Sequence, residues 1–112
     1  MTAVGDQVRL AVPPEPVRLR ARARALAEQA PEQALARLAE GAWMAGPLWR
    51  RWGPELRQAG LRRADFERIV GGYHRELWLW VMGERTWAQC AGGLAGRVRR
   101  RLPDGSSGPQ AT

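Results

Sequence analysis

The fold is decided by residues 64–82, which read ADFERIVGGYHRELWLWVM. An α-helix advances by 100° per residue, and at that spacing seven large apolar side chains of this stretch fall on one stripe. They are Phe66, Ile69, Val70, Tyr73, Leu77, Trp80 and Val81. The stretch is therefore predicted to be an amphipathic helix that faces the core. Trp78, Leu79 and Met82 cover the other sides of its last turns, which is typical of a bundle centre or of a partner-binding surface.

The N-terminal part of the chain is predicted to contain an extended or disordered segment, residues 1–15, followed by a helix from about Pro16 to Ala30. Proline is tolerated at the first helical position, and the rest of this stretch is rich in Ala and Arg, which favour helix. Arginines alternate with apolar residues at positions 18–24. A β-hairpin within residues 7–24 therefore remains an alternative to the helix.

Two helices are predicted between this segment and residue 64. One begins at Pro31, carries its apolar stripe on Leu35, Leu38, Ala39 and Ala42, and is expected to end at Gly46-Pro47. The next covers residues 48–61, where Pro54 is expected to kink or split the helix because it lacks a backbone N–H. Gly60 followed by Leu61 fits a left-handed helix stop.

A last helix is predicted after Thr86, which can cap it. One face of this helix carries Trp87, Cys90, Ala91, Leu94, Val98 and Leu102. Gly92, Gly93 and Gly96 lie round the other face, where either close approach of another helix or a break near Gly92-Gly93 would explain three helix-weakening residues. Residues 103–112 have no periodic apolar residues and are predicted to be a disordered tail. The fold class is thus all-α, a compact bundle of four to five short helices over residues 16–102 with flexible N- and C-terminal tails.

The C-terminal segment, residues 84–102, resembles part of a helix-turn-helix unit. Its capped start followed by Ala-x-x-Leu-small is similar to a first helix, and its basic end is similar to a recognition helix. Only Gly96 and Arg97 separate the turn position from Val98, which is shorter than the usual turn. The resemblance implies that Arg97, Arg99, Arg100 and Arg101 contact nucleic acid. The alternative is a single helix whose C-terminal arginines complement the helix dipole.

The chain is strongly basic, with a net charge of +7 over 112 residues. A basic balance is compatible with phosphate-bearing partners, to which Arg18 to Arg24 would add further contacts. All 18 basic residues are Arg, however, and Lys and Asn are absent. That usage is also what GC-rich codons produce. Weak, sequence-indifferent and salt-sensitive nucleic-acid binding is therefore the expectation from charge alone.

Catalytic and metal-binding residues are scarce. His74 is the only histidine and Cys90 the only cysteine, so neither a two-histidine site nor a cysteine cluster can form within one chain. His74 and Cys90 could form a base and a nucleophile, but Cys90 lies on an apolar stripe, where cysteine usually serves as a small buried hydrophobe. The sequence therefore predicts no enzyme activity, no cofactor and no metal.

Six tryptophans in 112 residues point to binding surfaces as well as to core filling. Trp80 and Trp87 lie on core stripes, whereas Trp49, Trp52 and Trp78 cannot all point the same way as the rest. Three partner surfaces are predicted, two of them from these tryptophans and the third from the glycine face of the last helix. Their residues are Trp49, Arg50, Arg51, Trp52, Trp78, Leu79, Met82, Gly92 and Gly96.

The hypothesis that follows is a non-catalytic protein–protein interaction module, either a homo-oligomer or an accessory subunit of a larger complex. A basic nucleic-acid-binding protein is the alternative. No apolar run approaches the ~20 residues of a membrane span, and the N-terminus has no signal-peptide pattern. With a single cysteine, these features favour the cytoplasm.

Overall fold

A computed structural model describes residues 8–102, and these form an all-α bundle without strands. The helices are α1 (Val17–Gln29), α2 (Pro31–Glu40), α3 (Ala42–Gln58), α4 (Arg63–Gly72), α5 (His74–Val81) and α6 (Trp87–Arg101). Tyr73, the residue between α4 and α5, keeps a nearly helical backbone (φ −99°, ψ 13°), whereas Ala30 and Gly41, which follow α1 and α2, do not. The described part of the chain therefore has five helical units. The predicted fold class is confirmed. Of the predicted tails, residues 1–7 and 103–112 lie outside the described residues, whereas residues 8–15 are described and are non-helical.

The core is built on the predicted stripe of α4 and α5. All seven of its apolar residues are buried, and four of them, Phe66, Val70, Leu77 and Val81, are completely inaccessible to solvent. The predicted stripe of α6 is buried throughout as well. At about 25 cal/mol per Å² of apolar surface removed from water, this burial is the main stabilising contribution to a domain of this size. The single break at Tyr73 leaves both halves of the stripe facing the core.

The segment at residues 17–29 is helical, so the hairpin alternative is wrong. Leu19, Ala23 and Ala27 are spaced four residues apart and are the buried residues of α1. Arg18 and Arg22 are exposed, whereas Arg20 and Arg24 are half-buried, and the Arg20 Nε–H donates to the Trp80 carbonyl oxygen at 3.0 Å. Residues with high helix propensity thus prevail over the alternating pattern.

The predicted helix break at Gly46-Pro47 is also wrong, because the break lies at Gly41. Gly41 has φ +82°, a left-handed conformation that favours glycine, and its Cβ would collide with the backbone carbonyl of Glu67. From there α3 continues without interruption through both Pro47 and Pro54, so Pro54 does not split it. Each proline removes one backbone hydrogen bond, a loss that the buried stripe of α3 offsets.

A glycine contact fixes how α2 meets the α4–α5 unit. A Cβ on Gly71 would collide with the backbone carbonyl oxygen of Ala39, whereas a Cβ on the neighbouring Gly72 would meet nothing within 4 Å. The end of α2 and the end of α4 therefore approach each other backbone to backbone at Gly71. Only a residue without a side chain permits this contact.

Two predicted helix-terminal signals are confirmed. Gly60 has φ +92°, and the Leu61 N–H donates to the Leu56 carbonyl oxygen at 2.9 Å, which is the left-handed stop expected after α3. Thr86 and Gln89 form a reciprocal capping box at the start of α6, with both hydrogen bonds at 3.1 Å.

Residues 8–16 form a non-helical N-terminal arm that lies against the bundle. Val8 and Leu10 are buried in the core cluster. Three indole N–H groups hold the arm at alternate positions, because Trp52, Trp87 and Trp80 donate to the Ala11 carbonyl, the Pro13 carbonyl and the Glu15 carboxylate at 2.7–2.8 Å. Each such bond contributes about 1 kcal/mol. The arm is therefore docked on three helices, α3, α5 and α6.

Candidate functional site

The tryptophans divide into a buried set and a half-buried set. Trp49, Trp52, Trp80 and Trp87 are buried, whereas Trp43 and Trp78 are half-buried at the edge of the core. Trp49 and Trp52 pack against Phe66, with ring centroids 5.4 and 6.2 Å apart. The prediction that these two indoles present a partner surface is therefore wrong for this chain. Only Arg50 and Arg51 of that surface are exposed.

Their burial follows from the continuity of α3. Once this helix begins at Ala42 and passes through Pro47, its buried residues are spaced by three or four positions. They include Ala45, Leu48, Trp49, Trp52 and Leu56. This is the spacing of one helical face, and it turns that face toward α4.

A groove lies between α2 and α5 on the described surface. Its volume is about 680 Å³. Its walls are Glu32, Leu35, Ala36 and Ala39 from α2, and His74, Arg75, Trp78 and Leu79 from α5. We call it the α2/α5 groove. Of these eight residues, only Trp78 and Leu79 belong to the predicted partner surfaces, and the other six do not.

The centre of the α2/α5 groove is apolar. Leu35, Trp78 and Leu79 are half-buried, and Ala36 is exposed beside them. The Trp78 indole N–H makes no hydrogen bond within residues 8–102, in contrast to those of Trp52, Trp80 and Trp87. A half-buried apolar strip with one indole N–H free to donate is the composition of a binding surface that combines burial with a directional contact.

The two ends of the groove carry opposite charges. Ala39 lies against Gly71, and the His74 imidazole Nδ1 is 2.8 Å from the Gly71 carbonyl oxygen, so His74 and Arg75 lie near this crossing. Glu32 lies seven residues before Ala39 on α2, which at 1.5 Å per residue places it about 10 Å away along the helix. The groove therefore has a basic end at Arg75, an acidic end at Glu32 and an apolar centre.

Met82 and the glycine face of α6 lie elsewhere. Met82 is half-buried and packs against the core without lining the groove. A Cβ on Gly92 would meet nothing within 4 Å, and one on Gly96 would reach only the Arg100 side chain at 3.7 Å. Close approach of another helix within residues 8–102 therefore does not explain Gly92 and Gly96. At Gly93 it is the Tyr73 hydroxyl that occupies the space of a side chain.

The segment that resembles a helix-turn-helix unit is a single helix. α6 runs from Trp87 to Arg101 without a turn, so there is no second helix to enter a groove of nucleic acid. Two of its four arginines contact their own chain, since Arg97 donates to the Gly72 carbonyl and Arg99 to the Arg9 carbonyl, each at 3.2 Å. Arg100 and Arg101 are exposed.

Cys90 and His74 each contact a backbone carbonyl rather than each other. The Cys90 thiol lies 3.9 Å from the Glu76 carbonyl oxygen, and His74 contacts Gly71 as described above. Burial, followed by the nearby Glu76 carboxylate, raises the pKa of Cys90 to about 12. A thiol is nucleophilic only as the thiolate, so this environment makes Cys90 inert.

We expect Cys90 to resist a disulfide-exchange reagent at pH 8 while the protein is folded. Its raised pKa leaves about a thousandfold less thiolate than an ordinary cysteine, and its burial blocks access. The measurement is the rate of thiol modification with and without about 6 M urea, a strongly denaturing concentration. Modification of the folded protein as fast as that of the unfolded chain would contradict the buried, inert assignment.

Residues 8–102 contain no group of three or more His, Cys, Asp or Glu side chains arranged to hold a metal ion. None of their helices combines the length and apolar character of a transmembrane segment. Comparison with protein-family models, curated proteins and solved structures gives no significant match to this chain.

Proposed function

We propose that the protein is a non-catalytic interaction module that binds a protein partner in the α2/α5 groove. The observation that carries this proposal is the apolar centre of the groove, where Leu35, Trp78 and Leu79 remain partly accessible although the core beneath them is complete. Burying such side chains on binding contributes about 25 cal/mol per Å² of apolar surface removed from water. Tryptophan is enriched among the residues that dominate binding energy.

Cys90 and His74, the side chains considered as nucleophile and base, make other contacts. Cys90 is buried with a raised pKa, and the His74 Nδ1 is engaged by a backbone carbonyl. His74 and Arg75 line one end of the groove and Glu32 the other, and no Ser, Thr or Cys side chain among residues 8–102 lines it. A cytoplasmic location belongs to the same proposal and rests on the presence of a single, reduced cysteine.

We expect Trp78→Ser to abolish most partner binding without unfolding the domain. Trp78 is half-buried, so its loss removes apolar contact area mainly from the groove. Trp43→Ser is the matched control, because Trp43 is also half-buried but lies on α3 outside the groove. The measurements are binding of a hydrophobic dye, sedimentation velocity, and capture of proteins from a lysate before and after nuclease treatment.

The proposal requires nuclease-resistant association, or dye binding, by the wild type and by Trp43→Ser but not by Trp78→Ser. Equal behaviour of the two variants would contradict a groove-centred function. Loss of every partner on nuclease treatment would instead favour nucleic-acid binding through the exposed arginines, which salt weakens steeply.

A further inference from the structure

We infer that the occupant of the α2/α5 groove is the same groove of a second copy of this chain, related to the first by a two-fold axis. The inference rests on the proposed function, because it names the partner for that surface. It is carried by the distribution of charge along the groove, which is acidic at one end, apolar in the middle and basic at the other.

A two-fold axis makes this charge pattern complementary to itself, because it places the acidic end of one groove opposite the basic end of the other. In an isologous interface the same patch is used twice, so each residue pair across the interface occurs in duplicate. When the groove is rotated by half a turn about an axis through its centre, the acidic end of one protomer faces the basic end of the other. Glu32 then lies opposite the partner's Arg75, and the reciprocal pair forms at the other end.

The charged ends are available for such pairs. Glu32 and Arg75 are both exposed, and neither forms a salt bridge within residues 8–102. Nearby acids and bases do pair within the chain, as Arg24 does with Glu28 at 3.4 Å and Arg85 with Glu76 at 2.6 Å. Among the residues that line the groove, Glu32 and Arg75 thus supply an acidic and a basic side chain available for an intermolecular contact.

The apolar centre gives the same arrangement its binding energy. With the charged ends matched, Leu35, Trp78 and Leu79 of one protomer meet the same three side chains of the other. Rim charges of this kind contribute mainly to orientation and specificity, whereas the enclosed apolar residues determine affinity. The two kinds of contact can therefore be tested separately.

The decisive experiment mixes two charge-reversed variants of the full chain. In Glu32→Arg, position 32 carries the same charge as the partner's Arg75 that faces it, and this repulsion occurs at both ends of the interface. In Arg75→Glu, two acidic side chains face each other at both ends. We expect each variant alone to self-associate at least about tenfold more weakly than the wild type. An equimolar mixture should recover association, because position 32 and the facing position 75 then carry opposite charges at both ends of a mixed dimer.

Matched controls carry the same change of charge elsewhere. Glu55→Arg on α3 and Arg100→Glu on α6 alter exposed residues outside the groove. We expect both to self-associate like the wild type in sedimentation equilibrium, and circular dichroism should show all four variants to be folded. The double variant Glu32→Arg/Arg75→Glu should also recover association.

Three results would overturn the inference: a wild type that stays monomeric at about 100 µM, single variants that associate like the wild type, or a mixture that fails to recover. If the wild type is monomeric while capture of another protein still depends on Trp78, the proposed function stands and only the second copy is wrong. If neither self-association nor capture depends on Trp78, both proposals fail.

Discussion

Gly71→Ala is expected to lower the free energy of unfolding by about 3 kcal/mol, because overpacking a closed contact forces backbone to move. The added methyl group would collide with the Ala39 carbonyl oxygen, which is part of the backbone and cannot rotate away. α2 would have to move off the α4–α5 unit, which would also widen the α2/α5 groove at its basic end. Urea denaturation monitored by tryptophan fluorescence and circular dichroism measures the loss.

Gly72→Ala is the matched control for this prediction. It adds the same methyl group one residue later, where nothing lies within 4 Å. A helical alanine is more favourable than glycine by up to about 1 kcal/mol, so this variant should be as stable as the wild type or slightly more stable. Equal destabilisation by the two substitutions would show that α2 does not approach α4 at Gly71.

The helices could be predicted from the sequence where their signals are local. The stripe from Phe66 to Val81 is a repeat of apolar residues, and the stop at Gly60 and the cap at Thr86 depend on residues within one helical turn. These features follow from neighbouring residues alone, and the structure has them all.

The break between α2 and α3 could not be predicted in this way. Gly41 and Gly46 both lie in the region, and Pro47 makes the second the stronger local signal. The break falls at Gly41 because Glu67, far along the chain, comes into backbone contact there. Tertiary packing therefore decides between two local alternatives.

The candidate site was predictable only on one of its walls. Trp78 and Leu79 are apolar residues that lie off the core stripe of their helix, and the sequence pattern predicts this. The α2 wall was not predictable, because the prediction placed Leu35 and Ala39 on the core stripe. Of the predicted stripe the structure buries only Leu38, together with Ala34, which leaves Leu35 and Ala39 for the groove.

The sequence likewise predicts a surface position for Trp49 and Trp52 of α3, which the structure buries. Trp52 gives the second large expected effect on stability. We expect Trp52→Ala to lower the free energy of unfolding by about 3–5 kcal/mol, the range for removing a large aromatic side chain from a core. Trp52 is 1% exposed, packs edge-on against Phe66 and donates its indole N–H to the Ala11 carbonyl. Its removal leaves a cavity and also frees the middle of the N-terminal arm.

Two further variants separate these contributions. Trp52→Phe keeps a ring in the core but removes the N–H donor and part of the ring volume, so it should cost about 1–2 kcal/mol from the lost hydrogen bond and the smaller ring together. Trp43→Ala, at the edge of the core, should cost less than Trp52→Ala because part of its indole is already in water. A folded Trp52→Ala protein with near-wild-type stability would mean that Trp52 lies on a surface, as the sequence alone suggests, and the placement of α3 and of the N-terminal arm would both be wrong.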